Sequence, residues 1–318
     1  MLNPVFTVAI ALQGGRSRGA STRGELGRRL NEVAGSWLRS PNRRNAALTT
    51  ALVLLVFVAS PCLADEPALI VTFGAVTKHY SASDLLARPD AADVAIPDDP
   101  VYRRTQVYRA VPLPALLAEI PSGQFDTVEM RATDGFVAQV PLALVRPDSP
   151  GDAVPWIAVE PPGQPWSMPP GTTVGAGPFS VVWQHPERSG VTSEQWAYAL
   201  ASLTAVASPA RRWPQLAVAA TLPGDAPARR GQAVFTGFCL PCHRMKGGGA
   251  AEVGPDLGNA TSYLTEPGLR ALVRDPKAVR TWPFQHMQGF DTHKLPEADL
   301  DALIAYLRAM DDAGAPLR

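Results

Sequence analysis

Cysteine is nearly absent from this chain: there are three in 318 residues, and only Cys239 and Cys242 lie beyond residue 64. Two thiols cannot supply the four protein ligands of a closed structural zinc site, and no second Cys pair stands downstream of them. The sequence also lacks a GxxxxGK[ST] phosphate loop, a GxGxxG turn and a Ser-His-Asp set, which removes the usual signatures of nucleotide binding and acyl transfer. Net charge is missing too, since 29 basic residues balance 29 acidic ones. Eight of the basic but only two of the acidic residues fall in residues 1–64, so the remainder carries 21 against 27, a net of −6. A surface of that sign is not expected to bind nucleic acid.

What the chain does have is concentrated in Cys239-Leu240-Pro241-Cys242-His243. Two thiols three apart can reach the two vinyl groups of a haem while the adjacent imidazole reaches the iron, so the spacing reads as c-type haem attachment. With both thiols used in this way, no structural disulfide and no third thiol for another metal remain beyond residue 64. A thioredoxin-like pair would follow a strand in a βαβ unit, whereas Ala226 to Phe238, just ahead of this pair, reads as helix. His243 must offer a neutral nitrogen to iron while its other ring N–H holds a fixed acceptor. Downstream, Gly254-Pro255 reads as a turn.

For the opposite face of the iron the candidates are Met245, His286, Met287, His293 and Met310. Met245 is too close to the attachment motif to wrap round the haem. Met310 falls in register with Leu300, Leu303 and Leu307 as part of an apolar helical stripe. That leaves the 286–293 loop, with Met287 as the expected ligand and His286 or an open sixth position as the alternatives. His286 in that role would lower the potential, because Met/His ligation is the higher-potential choice.

From Ala226 to Asp312 the chain resembles the small class I cytochromes c. Gly231 and Phe235 before the motif, Gly254-Pro255-Asp256-Leu257 after it, and Met287 ahead of a helix carrying Tyr306-Leu307 follow that family's order. The resemblance implies an all-α fold over 226–318 and one covalent haem c on Cys239 and Cys242. It also implies His243 and Met287 as the axial iron ligands and the Pro255 carbonyl as acceptor for the His243 ring. Gln288-Gly289-Phe290 departs from the proline that the family often has after its methionine.

Residues 46–60 form an apolar run, with Arg43 and Arg44 before it and Cys62-Leu63-Ala64 after it. That order of basic, apolar and small residues predicts export with cleavage after Ala64, hence a periplasmic protein. The run is short for a membrane span of about 20 residues, so a membrane anchor is expected only if the signal stays uncleaved. Pro61 occupies the position where a lipidated cysteine would need a small residue before it. Residues 1–42 are longer than a usual n-region; either the true start lies further in, or they are a tail on an uncleaved anchor.

The length beyond residue 64 predicts two domains. Residues 208–225, rich in Pro, Gly and charge, read as a linker between an α+β domain with a mixed sheet at 65–207 and the haem domain at 226–318. In the first domain, strands are expected at 68–73, 107–111, 127–132, 136–140, 156–159 and 179–183, with short helices at 83–87 and 113–119. Pro161-Pro162 and Pro169-Pro170 predict irregular connections between 145 and 186. Residues 100–205 resemble the molybdopterin-binding domain of the sulfite oxidase family. The resemblance rests on Tyr108-Arg109-Ala110-Val111-Pro112-Leu113, Ala132-Thr133-Asp134-Gly135-Phe136 and Gly175-Ala176-Gly177-Pro178-Phe179. The family's metal-binding cysteine is missing, so molybdopterin is not expected. His79 and His185, far apart and without carboxylate clusters, read as ordinary residues. The tryptophans at 156, 166, 183 and 196 read as core or a partner-facing patch.

Together these features predict a monohaem electron carrier whose first domain docks a periplasmic redox enzyme as donor, with another cytochrome or an oxidase as acceptor. Two alternatives are a haem-bearing subunit of a molybdenum oxidoreductase, with pterin in the first domain, and a haem sensor with an open sixth position.

Overall fold

The computed structural model describes residues 66–312 apart from 122, 148, 150, 173 and 282–286. The expected signal and His286 therefore lie outside the described residues. From Asp65 onward the chain forms one compact unit, built around a sheet-rich N-terminal part and a helical C-terminal part.

The strands form two sheets. The first has the order β2-β1-β9-β5-β6, from β1 (Ala68–Phe73), β2 (Val76–Ser81), β5 (Thr127–Ala132), β6 (Val137–Pro141) and β9 (Leu200–Val206). The second has the order β3-β4-β7-β8, from β3 (Ala92–Ile96), β4 (Gln106–Pro112), β7 (Val154–Val159) and β8 (Phe179–Gln184). Every pairing is antiparallel except β1 with β9, which makes the first sheet mixed. Short helices α1 (Ala82–Leu86), α2 (Leu113–Leu116) and α3 (Leu142–Val145) follow strands directly. Leu69, Val71 and Phe73 on alternate positions of β1 enter the same core as Val128, Met130, Ile157, Val181 and Trp183.

β5 is buried on both faces. Val128 and Met130 point into that core. The opposite face carries the cross-strand pairs Glu129–Gln139 and Arg131–Val137. A strand face holding Glu and Arg would normally meet water, yet Glu129 is only 8 % exposed. The C-terminal part covers it. Arg212, in the short helix α4 (Pro209–Arg212), sits 2.7 Å from Glu129 Oε2 and donates to Gln139 Oε1 at 3.2 Å.

The helical part comprises α5 (Pro227–Val234), α6 (Ala260–Tyr263), α7 (Glu266–Arg274), α8 (Pro276–Val279) and α9 (Glu297–Asp312). Pro227 starts α5 at a position where its missing N–H costs nothing. Ala228, Gly231 and Val234 then recur on one buried face. That face crosses α9, where Leu300, Leu303, Ile304 and Leu307 form the matching stripe of a second core.

Some elements depart from the sequence expectations. β2, β3 and β9 were not anticipated: β2 has no fully buried residue, and β9 alternates Leu with Ala, Ser and Thr, so neither shows a strong apolar period. The helix expected at 113–119 ends after Leu116. Within 208–225, Leu216 and Val218 are buried in the second core, and the Leu216 carbonyl accepts from Tyr306 Oη at 2.8 Å.

Candidate functional site

The chain does not continue α5 as a regular helix into the cysteine motif. It widens into a π-helical turn, Phe235–Cys239, closed by Leu240 N donating to Phe235 O at 2.8 Å. Such wide turns insert a residue and re-aim the side chains after them. The Cys239 carbonyl then accepts from both Cys242 N (3.1 Å) and His243 N (2.8 Å), winding the pentapeptide into one tight turn. Cys239, Cys242 and His243 are all half-buried, and neither thiol is in a disulfide. Burial, reinforced by the charge of Glu194, pushes both thiols up to about 12.

Residues 254–257 run alongside this turn and hold it. Gly254 N donates to Cys242 O at 2.7 Å, and Leu257 N to Arg244 O at 2.8 Å. The carbonyl of Pro255 lies 2.9 Å from His243 Nδ1. A carbonyl can only accept, so Nδ1 carries the hydrogen and Nε2 keeps the lone pair. Burial lowers the basicity of His243, against the opposing pull of the Pro255 carbonyl and Asp256, and so favours the neutral ring. Any side chain at 254 would collide with that ring, because a Cβ there would sit 2.6 Å from both Cε1 and Nδ1.

Asp256 completes the arrangement, although the sequence reading assigned it no role beyond the motif. Its Oδ1 accepts from Lys246 N (2.9 Å) and Gly258 N (2.8 Å), and its Oδ2 from Gly247 N (2.6 Å). Burial would raise this carboxyl, but the three amide donors and Arg244 hold it below the ordinary carboxylate value.

The other candidate ligands separate by position. Met245 is fully buried in the second core, and Met310 lies on α9 at 3 % exposure among the same residues. His293 is exposed. Met287 is half-buried at the start of a segment that runs into Phe290. Phe290 packs edge-on against Phe238 of the π turn, with centroids 5.7 Å apart, which brings the Met287 segment onto the attachment turn. Arg274 anchors that segment, donating to the carbonyls of Phe290 (2.8 Å), Asp291 (3.2 Å) and Leu295 (2.7 Å). No local pattern marks Arg274 for this role; it was missed because its partners lie 16 to 21 residues away.

The sheet-rich part also touches the attachment turn. Val137 N donates to Pro241 O, inside the motif, at 2.9 Å. Gly135 O accepts from Glu252 N, and Ala250 O accepts from Arg131 Nη1, each at 3.5 Å. Asp134-Gly135 is the β5–β6 hairpin turn, with Asp134 Oδ1 accepting from Phe136 N at 3.0 Å. His79 and His185 are exposed, on strand β2 and just past β8. Trp183 and Trp196 are buried in the core, while Trp156 and Trp166 pack against it.

These residues fit a covalently attached haem. Two unbonded thiols lie on one turn with an imidazole whose tautomer is already set, and Gly254 is bare where a Cβ would displace that ring. The family model for cytochrome c matches residues 228–311, from α5 to α9. No curated protein matches the chain. The match supports a cytochrome c domain over residues 228–311, a haem-containing electron-transfer unit in which haem c is bound covalently.

Proposed function

We propose that the protein is an exported, periplasmic, monohaem c-type cytochrome that moves single electrons from a periplasmic redox enzyme to another cytochrome or an oxidase. Cys239 and Cys242 hold the haem through thioethers, and His243 and Met287 are its axial ligands. The observation that supports this most directly is the His243–Pro255 contact of 2.9 Å beside both thiols. A ring clamped through Nδ1 presents Nε2 in one direction and needs no reorientation to bind a metal. Haem bound there supplies a one-electron ferric/ferrous couple. The chain's own residues hold it, set its axial field and limit water at its edge.

The sheet-rich part we read as a sulfite-oxidase-like domain that has kept the turns and lost the cofactor, and that holds the haem domain close to its donor enzyme at high effective concentration. A molybdenum site of that family's kind uses a thiolate, and no cysteine lies between residues 65 and 238. Protein from cells that mature c-type cytochromes should retain one haem by mass spectrometry after denaturation, with iron at one equivalent and neither molybdenum nor pterin. Stoichiometric molybdenum would replace this reading with that of an oxidoreductase subunit. Met287→Ala should abolish the weak red-end charge-transfer band of the oxidised protein and lower its potential. A wild-type protein without that band would point instead to a sensor with an open sixth position.

A further inference from the structure

The tight turn Ser193–Gln195, between β8 and β9, packs on the π turn Phe235–Cys239 and against β6. Its central residue is Glu194. The charge of Glu194 bears on both Cys239 and Cys242. The cation that bears on Glu194 is Lys294, from the segment that joins Met287 to α9. Glu194 therefore stands where the attachment turn and the Met287 segment face each other, and it comes from neither of them but from the sheet-rich part.

Glu194 is half-buried, and its surroundings differ from those of Glu129. Glu129 is paired with two arginines, whereas Glu194 makes no salt bridge among the described residues. Its one side-chain hydrogen bond comes from the neighbouring Ser193 hydroxyl, at 3.0 Å. Burial pushes this carboxyl up, so its ionised form is costly there unless a positive charge nearby offsets the cost, and ferric haem on the adjacent turn would be such a charge.

We propose that Glu194 is the anion of the haem crevice, supplied by the sheet-rich part, and that its carboxylate lowers the reduction potential of the haem. The inference rests on the reading of Cys239 and Cys242 as haem attachment sites. The ferric haem carries one more positive charge than the ferrous, so a carboxylate in the crevice stabilises the oxidised form. Glu194 acts through the field at the haem and is a positioning residue, not an iron ligand. The sheet-rich part thereby sets the driving force for transfer as well as the approach of a partner.

The test is a redox titration of the full-length holoprotein. At a solution potential equal to the wild-type midpoint, Glu194→Gln should shift the ferric/ferrous ratio toward ferrous by roughly tenfold, the order expected when one partly buried unit charge is neutralised. That corresponds to a midpoint about 59 mV higher for a one-electron couple. Glu194→Asp, which keeps the charge, should stay close to the wild-type midpoint. Glu187→Gln, which removes an exposed carboxylate from the same part of the chain, should leave the midpoint in place. A Glu194→Gln protein with full haem and an unmoved midpoint would overturn the proposal, as would an equal shift in Glu187→Gln. If Glu194→Gln and Glu194→Ala both failed to load haem while Glu187→Gln loaded it, the residue would be structural and the tuning role would fall. Wild-type protein without covalent haem would instead overturn the attachment reading itself.

Discussion

Replacing Gly231 with alanine should push helices α5 and α9 apart. A Cβ at 231 would fall well inside contact distance of the Ala302 carbonyl oxygen and 2.6 Å from both Ala302 C and Tyr306 Cβ. These are backbone and Cβ atoms, so no rotamer change relieves the overlap. Carbon atoms pack best at about 3.5–4.0 Å, so α5 and α9 must part by about 1 Å. A gap of that size forfeits roughly a quarter to a half of the dispersion energy across the seam. That seam includes the Phe235–Tyr306 ring pair, with centroids 5.3 Å apart. Overpacking of a core costs typically about 1–3 kcal/mol, and a clash with immovable atoms belongs at the upper end. Alanine recovers about 1 kcal/mol of helix propensity over glycine, leaving a net loss of about 2 kcal/mol. Urea unfolding of the holoprotein, followed by far-ultraviolet circular dichroism, should show that loss with an unchanged slope. Gly237→Ala is the control, since nothing lies within 4 Å of a Cβ there, and its effect should stay within about 0.5 kcal/mol. Adding Ala302→Gly should not rescue Gly231→Ala, because it removes a methyl and leaves the carbonyl. A Gly231→Ala protein as stable as wild type, or a full rescue by Ala302→Gly, would refute the reasoning.

Acid should loosen the seam between the sheet-rich and helical parts. Burial alone would raise the Glu129 carboxyl, but hydrogen bonds from Gln139 and Arg212 and the charges of Arg212 and Arg131 bring it below the ordinary 4.5. Its contribution to stability is therefore full above about pH 4.5 and is lost as pH falls through the folded value; Glu129→Gln should flatten the fall in urea midpoint over that range. Asp256→Ala should strip three amide donors of their acceptor and cost about 2 kcal/mol. Amide hydrogen exchange at Lys246, Gly247 and Gly258 should quicken in that variant, and unchanged protection there would count against a role for Asp256 in holding the turn. Met310→Ala should cost about 2–4 kcal/mol, as expected of a buried methionine, and leave the red-end band intact; loss of the band in Met310→Ala, but not in Met287→Ala, would reverse the ligand assignment.

Much of the secondary structure was legible because the relevant signals are local. β1, β5 and β8 follow from their β-branched and aromatic runs, and α9 from its apolar stripe ahead of Asp311. β9 was not legible. It is the strand that joins the parallel pairing with β1 to the antiparallel pairing with β5, yet its Ala, Ser and Thr give little contrast between faces. Leu216 and Val218 sit in a stretch whose proline and glycine content reads as solvent-facing, and only their packing beneath α5 and α9 reveals them as core.

What the sequence by itself determined is the chemistry that spacing alone can carry. Cys239, Cys242 and His243 lie within five residues, so their proximity is a matter of covalent geometry, and the turn at Gly254-Pro255 announces itself by the same local logic. What only the tertiary structure decided is the setting of that chemistry. Glu129 and Arg131 look like surface charges on an alternating strand until Arg212 and the carbonyl of Ala250 arrive from far along the chain. Glu194 looks like a solvated loop acid until its turn packs beside Cys239. Gly231 looks like a weak point in a helix until Ala302 and Tyr306 need the space. The physical reason is the same in each case: burial and electrostatic environment belong to groups brought together by packing across tens of residues, and no property of the local sequence encodes which distant surface will cover it.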